Sequence, residues 1–200
     1  DAAGNIAEQQ TQIKVDNTAP TVARQERSAG GGWSADANPA LTIDASDGPG
    51  GSGVRSLSWE LCRTDGSDCR AGAAAPAPAL SVNLPAAGEW HARVTASDAL
   101  RAGQPSEWSA PLRYDPVVPG QSQLSGVKRW SDGRAPVAVQ LSPSQGAPQG
   151  PSGIAGYAVS SDGSVPGSTP SVGGEKATVS LGELPEGTTT VTARAISGAG

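Results

Sequence analysis

The chain resembles itself. "NIAEQQTQIKVD", residues 5–16, aligns without gaps on "QPSEWSAPLRYD", residues 104–115, matching Glu8 with Glu107, Ile13 with Leu112, Lys14 with Arg113 and Asp16 with Asp115. "SGVRSLSW" from Ser52 aligns with "SGIAGYAV" from Ser152, Leu84-Pro85 with Leu184-Pro185, and Trp33-Ser34 with Trp130-Ser131. The offsets fall at about 97–100 residues, the length of one small β-sandwich. This period divides the chain into residues 1–16, read as the last strand of a preceding unit, residues 17–115 as a first complete unit, and residues 116–200 as a second. The second lacks the strand that residues 1–16 exemplify. The next stretch of a longer chain would supply it, or residues 1–16 of a neighbouring copy would insert by β-augmentation.

Inside each unit apolar residues alternate with polar ones. Leu41, Ile43 and Ala45 share a face, as do Leu57, Trp59 and Leu61, then Leu80, Val82 and Leu84, then Trp90, Ala92, Val94 and Ala96. Val137, Val139 and Leu141, then Tyr157 and Val159, then Val179 and Leu181, then Val191, Ala193 and Ala195 repeat the scheme. Period-two alternation predicts half-buried strands, and no stretch sustains a helical apolar face. The 27 Gly and 17 Pro belong in the turns between the strands, because their backbone preferences suit turns and weaken strand interiors. The predicted fold class is all-β, with tandem Ig-like (Greek-key) β-sandwiches in an extended array.

Charge and cysteine usage narrow the function classes. A net charge of −5 without a basic patch argues against nucleic acid as a partner. The longest run of small apolar residues, 71–88, is interrupted by Pro and too weakly hydrophobic to insert in a membrane. Cys62 and Cys69, the two cysteines, flank Asp65-Gly66, a hairpin-turn signal that would bring the thiols together across adjacent strands. A disulfide implies an oxidising, extracellular or cell-surface setting. Reduced thiols and half of a zinc site are the alternatives, and one histidine is too few to complete a zinc site.

The residues carry a likeness to a known family. "VTASDALRAG" and "TARAISGAG" resemble the closing strand and turn of bacterial Ig-like repeats, "KVDNTAPTV" resembles their junctions, and "DGPGGSGVRSLSWEL" resembles the loop that leads into their central strand. The resemblance spans nearly the whole chain. It implies long secreted or surface-attached bacterial proteins in which such units act as a stalk, a spacer or part of an extracellular filament. Partners would be neighbouring repeats or other copies. An adhesive or carbohydrate-binding module, directed at host or matrix glycans, is the alternative.

Four candidate sites remain. Asp16-Asn17 loosely resembles the junctions at which cadherin repeats hold calcium, with Asp115 as the second-junction equivalent. Calcium takes six to eight oxygens, so this junction is short of ligands unless Asp44, Asp47 or Asp98 approaches it. No other cofactor is expected. Trp33, Trp108 and Trp130 are possible ligand contacts, Trp33 and Trp130 doubling as plugs over the sandwich ends. His91, the one histidine, falls on the outward face with Glu89, Arg93 and Thr95. "GPGGSG", residues 48–53, matches a phosphate-loop pattern but precedes a strand, so it reads as turn glycine. No pair of carboxylates and no nucleophile with its base stands out by spacing, and no enzymatic activity is expected.

Overall fold

The computed structural model describes residues 3–4, 6–27, 31–127, 131 and 136–200. Among them every regular element is a strand. The first group comprises β1 (Thr21–Arg27), β2 (Trp33–Ser34), β3 (Ala40–Ser46), β4 (Ser56–Arg63), β5 (Arg70–Ala74), β6 (Ala79–Ser81), β7 (Gly88–Ser97) and β8 (Leu112–Tyr114). The second comprises β9 (Ser122–Ser125), β10 (Ala138–Pro143), β11 (Ile154–Ser160), β12 (Val172–Gly173), β13 (Ala177–Ser180) and β14 (Thr192–Ser197). No helix among the described residues is long and apolar enough to cross a membrane.

Two sheets make the first core. One runs β1-β3-β6 and the other β2-β8-β7-β4-β5. Their inward residues meet in one cluster, with Leu41, Ile43 and Leu80 from the first sheet against Leu57, Leu61, Trp90, Ala92, Val94 and Leu112 from the second. The chain crosses from one sheet to the other at each step from β1 to β4 and again on either side of β6, while β4–β5 and β7–β8 stay within one sheet, giving a two-sheet sandwich with Greek-key crossovers. The second group repeats the plan with β9-β10-β13 and β12-β11-β14 around Val139, Leu141, Tyr157 and Ala195. Among the described residues two strands of the first group have no counterpart in the second, β2 and β8; β8 pairs with β2 in parallel and with β7 through Trp90 and Leu112.

Most of the segment read as the last strand of a preceding unit lies in residues 6–16. The described residues from 6 to 20 carry no strand, and Ile6, Ile13 and Val15 are 86%, 82% and 70% exposed. A strand needs a ladder partner, and the edge of β7 that would fit this segment already holds β8.

The disulfide forms as the spacing predicts. Cys62 and Cys69 are bonded across the β4–β5 hairpin, with Cα atoms 4.1 Å apart. The turn at its tip is set by Gly66 at φ 82° and by the Asp65 carboxylate, which accepts hydrogen bonds from the Ser67 N–H and hydroxyl. Closing a loop of this length stabilises the fold by about 2.5 kcal/mol on chain-entropy grounds. Replacing both cysteines by alanine should therefore lower the stability of the first sandwich by about that amount in a denaturant titration. An unchanged midpoint would show that the hairpin is held without the bond.

Candidate functional site

The alternation that builds the core continues past two strand ends. On β3 the inward residues are Leu41 and Ile43, and two steps beyond Ala45 the next inward position is Asp47. On β7 the inward residues run Trp90, Ala92, Val94 and Ala96, and the next is Asp98. Both carboxylates are 8% exposed. Asp44, one step out of phase, is exposed on the outer face of β3.

Asp16 joins them from the segment that leads into β1. Carboxylate oxygens of Asp16, Asp47 and Asp98 lie within 4.8 Å of one another. Backbone N–H groups hold each one in place. Asp16 accepts from Ser52 at 2.7 Å and Thr18 at 3.1 Å, Asp47 from Gly53 at 2.6 Å, and Asp98 from Leu100 at 2.5 Å and Arg101 at 2.7 Å. The Ser52 N–H and hydroxyl, followed by Thr18, hold the Asp16 carboxyl down at about 2. The 48–53 loop closes so tightly that a Cβ on Gly51 would sit 2.5 Å from an Asp47 carboxylate oxygen, so glycine is required there. "GPGGSG" is thus a turn, with φ of 71° at Gly48, 82° at Gly50 and 85° at Gly53.

Hydrogen bonding is incomplete in this cluster. One oxygen of Asp47 and one of Asp98 are buried without a hydrogen-bond partner. Among the described residues no Lys or Arg forms an ion pair with any of the three carboxylates. The nearby Arg101 guanidinium donates instead to the backbone carbonyls of Asn17 and Asp16, at 2.8 and 3.1 Å.

Asp115, read from the sequence as the second-junction equivalent of Asp16, lies in the other unit. Asp16 and Asp115 are the same turn one period apart, so each serves its own unit. Asp115 is 1% exposed and accepts from Val117 N–H at 2.9 Å, Ser152 N–H at 3.0 Å and the Ser152 hydroxyl at 2.5 Å. The position matching Asp98 is Ser197, also buried, and residues 133–161 contain no carboxylate that matches Asp47. Asn17 is exposed. A second acidic group, Glu60 with Cys62 and Cys69, has its sulfurs committed to the disulfide.

No protein-family model matches the chain, and no curated protein matches it in sequence. Among solved structures it is similar to the crystal structure of the chicken CNTN1 FN1-FN3 domains. That similarity has 14% identity and a TM-score of 0.41, and it covers 92% of this chain and 62% of the other. The chain thus spans less than two thirds of that structure's length.

Trp33 and Trp108, two of the three tryptophans read as possible ligand contacts, are each half-buried. Trp108 is half-buried, its ring stacked on His91 with centroids 3.9 Å apart and planes 11° apart. The Arg93 guanidinium lies over the Trp108 ring at 4.6 Å and forms an ion pair with Glu60 at 2.6 Å. His91 is therefore less open than its outward position suggests, and burial followed by the Arg93 charge pushes its pKa below 6.5. Trp33 is half-buried in β2, which pairs in parallel with β8 at Arg113. Trp130 lies outside the described residues. Two shallow grooves, one between residues 19–22 and 102–106 and one beside β10 and β13, have Lys176 as their one titratable lining residue.

Proposed function

We propose that the chain is a structural segment of a secreted bacterial surface protein, built as a tandem array of Ig-like units and serving as a stalk or spacer without catalytic activity. The observation that carries this reading is a junction built twice. Asp16 accepts from the N–H groups of Thr18 and Ser52, and Asp115 accepts from those of Val117 and Ser152, so each unit is joined to its leading segment by the same turn. The disulfide supports an extracellular setting. Carbohydrate binding by tryptophan has less support, because the Trp108 ring is engaged by His91 and Arg93.

The test is the mass of the chain in solution as a function of concentration, with electron microscopy of the same sample. A monomer at every concentration is expected for a piece of a covalent stalk. Growth into polymers that deletion of residues 1–16 abolishes would make the chain a filament subunit instead. Saturable glycan binding lost in Trp108→Ala, or turnover of a substrate, would overturn the structural reading.

A further inference from the structure

We infer that Asp16, Asp47 and Asp98 bind a single calcium ion that pins the segment before β1 to the end of the first sandwich. Three carboxylates drawn together without a cation repel one another, and this is costly where two of them are 92% buried. Each of those two also has a buried oxygen with no hydrogen-bond donor. Such oxygens are ordinarily satisfied, so a missing partner at both points to a group that accepts electron pairs from them together.

Geometry selects the class of ion. Oxygens bound to one calcium at about 2.3–2.6 Å lie at most about 5 Å apart. The three carboxylates meet that limit at 4.8 Å. An all-oxygen set of three carboxylates suits a hard cation, and zinc would want nitrogen or sulfur ligands. Magnesium demands stricter octahedral geometry than three carboxylates fixed by separate loops provide, whereas calcium tolerates irregular sets completed by water.

The two units differ in a way that fixes the stoichiometry. In the first, Asp16 takes the Ser52 N–H and Asp47 the neighbouring Gly53 N–H, leaving oxygens over. In the second, Asp115 alone meets the matching loop, and Ser197 replaces the third carboxylate. Among the described residues only the first unit carries such a carboxylate set, so one ion is expected there. Its mechanical role, fixing the direction in which residues 1–16 leave the sandwich, rests on the array reading. Its binding does not, and it is measurable on the isolated chain whatever the chain's assembly state.

Calorimetric titration of the chelator-treated chain with calcium chloride should show one ion bound, and calcium should raise the melting temperature of the first unit alone. Asp47→Asn and Asp98→Asn keep an oxygen acceptor for the turn N–H groups and remove the charge. Each should weaken calcium at least about tenfold, because affinity follows ligand charge. Circular dichroism of both variants in chelator separates lost binding from lost fold, and Asp16→Asn repeats the test from the third ligand. The assignment is overturned by no heat and no melting shift at millimolar calcium, by two ions per chain, by an equal response to magnesium, or by wild-type affinity in folded variants.

Discussion

Trp90→Ala should lower the stability of the first sandwich by about 3–5 kcal/mol and leave the unfolding of the second unmoved. Trp90 is fully buried on β7, donates its indole N–H to the Ala86 carbonyl at 2.9 Å and lies under the Arg63 guanidinium at 4.8 Å. It pairs with Leu112 on β8 and sits opposite Arg63 on β4, so truncation opens a cavity between three strands and strands the Ala86 carbonyl. The loss is a large part of the 5–15 kcal/mol typical of a domain. Scanning calorimetry should show the transition of the first unit falling by about 15–30 °C. The transition belonging to Tyr157, Val139 and Leu141 should stay where it is, because each core is built by its own pair of sheets. A single transition that moves as a whole would mean that the two sandwiches unfold as one cooperative body.

Strand faces were legible in the sequence because burial on one side imposes a period of two, and a chain can satisfy that only by alternating. Leu41, Ile43, Leu57, Leu61, Leu80, Trp90, Ala92, Val94 and Ala96 all point inward as the alternation predicts. The disulfide was legible for a local reason, since Asp65-Gly66 sets the hairpin that joins its ends. Asp47 and Asp98 were within reach of the same rule. Each is the next inward position after a run of apolar residues, and a carboxylate there sits at the rim of the core. That rule says nothing of which rim positions meet, so the sequence offered Asp44, Asp47 and Asp98 alike as residues that could approach Asp16, and named Asp115 as its second-junction equivalent because the two share a motif.

The partners of Trp108 were hidden for a different reason. Between β7 and β8 the chain runs back along β7, with Gly103 N–H donating to Ala96, Ser106 N–H to Val94 and Ser109 N–H to Ala92. Three residues advance there for every two on β7, so no simple alternation applies, and the stacking of Trp108 on His91 follows from that slippage. Residues 6–16 illustrate the reverse case. Their pattern is that of a strand, but a strand is a pairing, and a sequence pattern does not supply the partner.

Asp115→Ala should lower the stability of the second unit by about 3 kcal/mol at neutral pH, since three donors lose a buried, charged acceptor together. The donors are the Val117 and Ser152 N–H groups and the Ser152 hydroxyl. The loop at Gly150 packs so closely on this carboxylate that a Cβ there would lie 1.9 Å from an Asp115 carboxylate oxygen. Asp115→Asn should cost roughly half as much, keeping one acceptor oxygen without the charge. The pH dependence separates charge from packing. Burial alone would raise the Asp115 pKa, but the Ser152 hydroxyl, the Val117 N–H and the Ser152 N–H outweigh it and hold the group below 3.8. With the folded pKa depressed, the unfolded chain binds the proton first as pH falls. The stabilisation is thus complete above the unfolded value and lost as pH drops through the folded one. Denaturant titrations should therefore show the gap between the wild type and Asp115→Asn widest near neutrality and narrowing below pH 3.8. A gap that stays constant down to pH 2 would mean that Asp115 supports the second junction by shape alone.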